Sequence, residues 1–132
     1  MVGLKQYMTD TPNPITVIAV NKSKPVKYIF NKLRKLENHL KIVVFVDHQH
    51  NGLNNPYMLI WRVTNNIDAL KDVWIEEIWG IDATRKWEID GYYREWPEDV
   101  FCSPEVVNSL AREDIIDIDY DLDFFRKFQI IP

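Results

Sequence analysis

Apolar residues come in two rhythms along this chain, short unbroken runs and helical stripes, and they alternate. Residues 15–20, Ile-Thr-Val-Ile-Ala-Val, form a nearly continuous apolar run, the pattern of a strand covered on both faces, as in parallel sheets. Val26, Ile29, Phe30, Leu33, Leu36 and Leu40 then recur at helical spacing. Ser23 is placed to cap that helix and Pro25 is tolerated in its first turn. Lys27, Lys32, Arg34 and Lys35 take the wet side, and His39 falls in the last turn, where a cation complements the helix C-terminus. Residues 41–46 are a second buried strand of β-branched and aromatic residues. Strand, helix and strand make a βαβ unit, whose crossover is expected to be right-handed.

A polar loop spans residues 47–55, and Asn55-Pro56 reads as the N-cap and first position of a second helix whose apolar stripe is Leu59, Ile60, Val63 and Ile67. Residues 72–79 alternate, with Glu76 and Glu77 among them, so a third strand is expected there, at a sheet edge. Beyond Gly80 the pattern is irregular until Ser103-Pro104-Glu105 opens a short helix with Val106, Val107 and Leu110 inward. Residues 115–118 fit either an extended segment or a turn. Residues 121–128 read as a terminal helix carrying Leu122, Phe124, Phe125 and Phe128. At the other end, residues 1–14 are polar and interrupted by Pro12 and Pro14, which reads as a lead-in or the remnant of a connection. The expected division is 1–14 lead-in, 15–101 α/β domain and 102–132 helical extension. The fold class is α/β: a small, mainly parallel sheet with flanking helices in three layers, Rossmann-like, with a C-terminal helical tail.

Size and composition narrow this further. The chain has 132 residues, 46% of them hydrophobic and 13% aromatic, enough for one packed core and too few for two. Five Trp is a heavy load, and large rings with one polar atom suit both cores and interfaces. A formal charge of −4 and pI near 5.3 provide no broad positive field for a nucleic-acid backbone. The basic residues between positions 22 and 41 are accounted for by the solvated face of the first helix. Cys102 is the lone cysteine, so no intrachain disulfide forms and a reducing, cytoplasmic setting is expected. No apolar run approaches the ~20 residues that span a bilayer.

Candidate chemistry is sparse. Asp47-His48-Gln49-His50 places two imidazoles near a carboxylate, as some metal sites do, yet no third ligand set accompanies it, and a polar surface loop accounts for His48 and His50. Cys102 lacks any signature of a catalytic thiol. Gly80-Ile81-Asp82-Ala83-Thr84 reads as a turn: Gly80 lets the backbone leave the strand, Asp82 accepts hydrogen bonds within the loop, and Thr84 caps the next segment. Glu76, Glu77, Asp82 and Glu88 do not make a catalytic pair, and no second acid or base is spaced to cooperate with Glu95. Neither a phosphate-binding loop of the G-x-x-x-x-G-K-[ST] kind nor G-x-G-x-x-G occurs.

Three segments taken together carry a resemblance. Residues 60–73, Ile-Trp-Arg-Val-Thr-Asn-Asn-Ile-Asp-Ala-Leu-Lys-Asp-Val, then 78–84, Ile-Trp-Gly-Ile-Asp-Ala-Thr, then Arg94-Glu95-Trp96-Pro97, resemble in order and spacing the C-terminal portion of the UbiD-like carboxy-lyases, the 3-polyprenyl-4-hydroxybenzoate decarboxylase family. The resemblance runs from about residue 15 to residue 95. It implies a piece of a larger enzyme, truncated or naturally split, that decarboxylates an aromatic or α,β-unsaturated acid non-oxidatively in ubiquinone or menaquinone biosynthesis. It further implies prenylated FMN with a divalent metal, held with the acid/base network by an upstream flavin-binding region, as this chain's partner. Catalytic residues and metal ligands are then expected to be absent here. Gly80, Asp82, Thr84, Arg94, Glu95 and Trp96 are the cleft or interface candidates, covering one side of the active site. Phe124, Phe125 and Phe128 either close the domain's own core or serve as homo-oligomer contacts. The isolated chain is expected neither to decarboxylate nor to bind flavin tightly. Departures from the family pattern are Ile78 where many members have lysine, Asn66 for arginine, Ala69 for proline, and His48 and His50 in place of acidic residues. The alternative is a stand-alone α/β binding or assembly module without catalytic activity.

Overall fold

The computed structural model describes residues 1–36, 39–48, 53–100 and 102–117. It divides into two compact units, Met1–Trp96 and Pro97–Pro132. The first unit contains a five-stranded sheet. Its strands are β1 (Gly3–Tyr7), β2 (Ile15–Val20), β3 (Ile42–Asp47), β4 (Val73–Ile75) and β5 (Trp79–Asp82), and their order across the sheet is β1-β2-β3-β5-β4. The central β2, β3 and β5 are parallel, and the outer β1 and β4 are antiparallel to their neighbours. The fold is therefore α/β with a mainly parallel centre.

Two helices in this unit, α1 (Val26–Leu36) and α2 (Pro56–Asn65), cover opposite faces. Val26 and Phe30 of α1 pack with Ile18, Val20, Val43, Phe45, Trp74 and Ile78. Leu59 of α2 packs with Val17, Ala19, Val44, Val46 and Ala83. Consecutive residues of β2 and β3 thus point into different cores, which is why both strands read as continuous apolar runs. Asn55 caps α2 by accepting from the Met58 amide at 3.2 Å, with Pro56 in the first turn, as its sequence indicated.

Four local expectations are corrected. Residues 3–7 are a strand, not a lead-in: Gly3 pairs with Ala19 and Tyr7 with Ile15. An edge strand needs few apolar residues because one long side faces water, so its polar composition concealed it. The strand expected over 72–79 is instead a hairpin, with β4 at the edge and β5 inserted between β4 and β3. Gly80, Ile81 and Asp82, read as a turn, lie inside β5. Finally, Leu36 and Ile60, assigned to apolar stripes, are exposed, whereas Met58 and Arg62 are buried.

In the second unit, α3 (Pro104–Arg112) begins where Ser103-Pro104-Glu105 indicated, with Ser103 accepting from the Val106 amide at 3.4 Å. The same hydroxyl bonds the exposed Glu105 carboxyl and lowers its pKa. Val107 and Leu110 are half-buried and Val106 is exposed. The terminal helix expected over 121–128, with Phe124, Phe125 and Phe128, lies outside the described residues, as does His50.

A candidate cleft at the carboxyl ends of the parallel strands

Strands β2, β3 and β5 all finish at one end of the sheet, and the segment after β5, residues 83–96, runs across it. Two lysines hold that segment. Lys22, just after β2, has a side chain 0% exposed; its ammonium donates to Thr84 Oγ1 at 2.9 Å, to the Arg85 carbonyl and to Asp90 Oδ2 at 2.6 Å. The Trp87 ring centroid lies 4.2 Å from the same nitrogen. All three N–H donors and the charge are therefore satisfied inside the protein, the condition for burying an ammonium at tolerable cost.

Lys86 does the same on the other side. It is buried and donates to the carbonyls of Thr84 (2.7 Å), Asp82 (3.0 Å) and Asn66 (3.4 Å). Asp82 Oδ1 and Asp72 Oδ2 stand 3.5 and 3.7 Å away. Asn66, where the resemblance expected arginine, is buried and donates to the Ala83 carbonyl at 3.1 Å. Burial raises the Asp72 pKa above the ordinary carboxylate value; Asp82 and Asp68 push it the same way, and a hydrogen bond from the Asp68 backbone and the Lys86 charge oppose them.

Asp82 accepts from the Thr84 amide at 3.0 Å and from the Thr84 hydroxyl at 2.6 Å, the role read from sequence. The Thr84 hydroxyl, read from sequence as a cap for the next segment, donates to Asp82 and accepts from Lys22. Gly80 serves packing rather than an unusual dihedral. A Cβ there would lie 2.5 Å from Phe30 and 2.8 Å from Trp74, two rings whose centroids are 5.0 Å apart. Asp47, at the end of β3, accepts from the Arg85 amide at 2.8 Å and so joins a second strand end to the segment.

Between the strand ends and this segment lies a cleft of about 860 Å³, bordered by Lys22, Asp47, His48, Trp87, Arg94 and Trp96 among others. Tyr92 stacks obliquely on Trp96 at 5.3 Å. Arg94 and Glu95 are exposed, and neither forms an ion pair among the described residues. The structure thus brings Asp82 and Thr84 together with Lys22 and Lys86, and sets Arg94, Glu95 and Trp96 at the rim. Sequence reasoning missed both lysines. Lys86, two residues beyond Thr84, was close enough to that motif to be noticed, but Lys22 was absorbed into the basic helix face, from which nothing marks it as buried.

Among the described residues no group of three or more His, Cys, Asp or Glu is arranged to hold a metal ion. Ile78, where the resemblance led one to expect lysine, is 3% exposed within the α1-side core. Both buried ammonium groups are neutralised internally. Neither ammonium, nor Ile78, therefore offers a free donor to a flavin phosphate.

No protein-family model matches the chain. Uncharacterized proteins of Helicobacter pylori, from strains ATCC 700392 / 26695 and J99 / ATCC 700824, are each 47% identical over 118 residues, covering 88% of this chain. One from Aquifex aeolicus strain VF5 is 38% identical over 91 residues, covering 56%. The chain spans about 19% of the length of the Helicobacter relatives. Among solved structures, the chain is similar to an evolved dimeric form of the UbiD-class enzyme HmfF from Pelotomaculum thermopropionicum in complex with prFMN. The match has a TM-score of 0.52 and 22% identity, and covers 81% of this chain and 22% of that one. The class is therefore a three-layer α/β fold. The particular fold is one found within a UbiD-class enzyme.

Proposed function

We propose that this chain is a non-catalytic domain of a larger carboxy-lyase of the prenylated-FMN type, where it covers one side of the active-site cleft and contributes to oligomerisation. The substrate class is an aromatic acid such as a polyprenylated 4-hydroxybenzoate, in quinone biosynthesis. The observation that carries this reading is the pairing of a UbiD-class fold with buried cations already spent: Lys22 and Lys86 fasten residues 83–96, so neither ammonium is free for chemistry. The modified flavin, bound elsewhere in the longer enzyme, supplies the electron sink for loss of CO2. This chain's residues hold a rigid wall beside that chemistry and limit the entry of water.

The test is a chimera in which this chain replaces the matched 118 residues of a Helicobacter pylori relative. The expected result is flavin absorbance and CO2 release with the chimera and neither with the chain alone. Flavin co-purifying with the isolated chain, or turnover by it, would refute the reading. A stand-alone binding module is the second reading, favoured by the cleft of about 860 Å³ with its aromatic rim and Arg94. It predicts saturable ligand binding by the isolated chain that Arg94→Ala weakens.

A further inference from the structure

The pairing register assembles a row that no single segment of the sequence shows. Tyr7 pairs with Ile15, Ile15 with Ile42, Ile42 with Trp79, and Trp79 with Ile75. Directly paired residues project to the same face, so these five apolar side chains cross the whole sheet on the side that carries α2. Their exposure is uneven. Tyr7, Ile15 and Ile42 are half-buried against the α2-side core, whereas Trp79 is 49% and Ile75 68% exposed. In the next row, Val73 and Ile81 are half-buried as well. Among the described residues, the β3-β5-β4 corner of that face is therefore apolar and incompletely covered.

We infer that this corner is a docking surface for an amphipathic helix from another part of the same longer polypeptide. This rests on the reading of the chain as one domain of a larger enzyme. The exposed pair Trp79 and Ile75 spans one inter-strand spacing, and with the half-buried Ile42 the strip crosses two, ~10 Å, which is about two turns of helix. It is the sheet's face that is apolar, and the faces of α/β sheets are covered by helices. Size decides among occupants. A free partner or a second copy needs about 800 Å² per side, far more than two half-exposed side chains and their neighbours present. A tethered helix meets the patch at an effective concentration of about millimolar and needs much less. The Helicobacter relatives, of which this chain spans about 19%, have the length to supply one.

The test is oxidative footprinting of Trp79 and Ile75 in the isolated chain and in the Helicobacter chimera. The expected result is ready labelling in the isolated chain and loss of labelling in the chimera. In the chimera, Trp79→Asp with Ile75→Lys should restore cleavage between domains by a nonspecific protease, while both solvent-facing changes leave the isolated chain folded. Equal labelling in the two proteins overturns the inference. So does concentration-dependent self-association of the isolated chain that protects Trp79, because the occupant would then be a second copy. A chimera that binds flavin and releases CO2 with Trp79 still labelled defeats the docking site and leaves the functional reading standing. Protection without flavin binding does the reverse.

Discussion

Lys22 is the side chain on which the segment after β5 most depends. Lys22→Met removes the cation from a buried pair and leaves Asp90, 9% exposed, uncompensated; the expected cost is about 3–5 kcal/mol. Urea denaturation should show it, and Asp90→Asn in the same background should recover part of the loss. An unchanged midpoint would mean that the pair contributes nothing. Gly80 separates two physical explanations for one glycine, close packing and backbone freedom. If close packing is what requires it, Gly80→Ala costs about 1–3 kcal/mol by overpacking, and Phe30→Leu relieves it because Phe30 supplies the nearest atoms. A penalty that Phe30→Leu leaves intact points to the backbone instead. Asp72 supplies a pH dependence of unusual sign. Its folded pKa is raised above the ordinary 3.8 by burial, so the folded state holds the proton more tightly than the unfolded state does. The stability this contributes is present below about 3.8 and is lost as pH rises through the raised folded value. The stability of the wild type minus that of Asp72→Asn should therefore fall on going from acid towards neutral pH. A pH series of denaturation midpoints in which that difference rises instead would reverse the assignment.

Elements were legible where burial is two-sided. β2 and β3 feed different cores with alternate residues, so each appears as an apolar run. α2 and α3 carried their caps openly in Asn55-Pro56 and Ser103-Pro104. Edge elements were not legible. β1 presents Leu4, Lys5 and Gln6 with little burial, and no hydrophobic period distinguishes such a segment from a polar lead-in. The β4–β5 hairpin reads as one strand because the β-branched and aromatic residues from Val73 to Trp79 are interrupted only by Glu76 and Glu77. The reversal occurs at Glu76 and Glu77, where the Glu76 amide donates to the Ile78 carbonyl at 3.2 Å and no Gly or Pro marks the turn. Arg34 of α1 reaches both glutamates, at 3.1 and 3.2 Å, a tertiary tie across 43 residues for the second pair.

For the whole molecule, all five strands, both core clusters and the cleft lie within Met1–Trp96. A fragment of residues 1–96 should accordingly fold alone and unfold in one cooperative transition, visible as coincident near- and far-UV circular dichroism melts. Loss of the near-UV signal in the fragment would show that the remaining residues are needed for packing. Among the described residues no helix is long and apolar enough to cross a membrane.

The amino-acid order by itself determined local and periodic features: two buried strands, the caps of α2 and α3, and an acidic balance. The Asp82–Thr84 hydrogen bonds were legible too, because they close within two residues. Only tertiary structure decided that Lys22 belongs with Thr84 and Asp90, more than sixty residues away, and that Gly80 is a packing position. Such features depend on which strands become neighbours. Neighbour choice is set by the summed burial of the whole sheet, which no single stretch of the chain encodes.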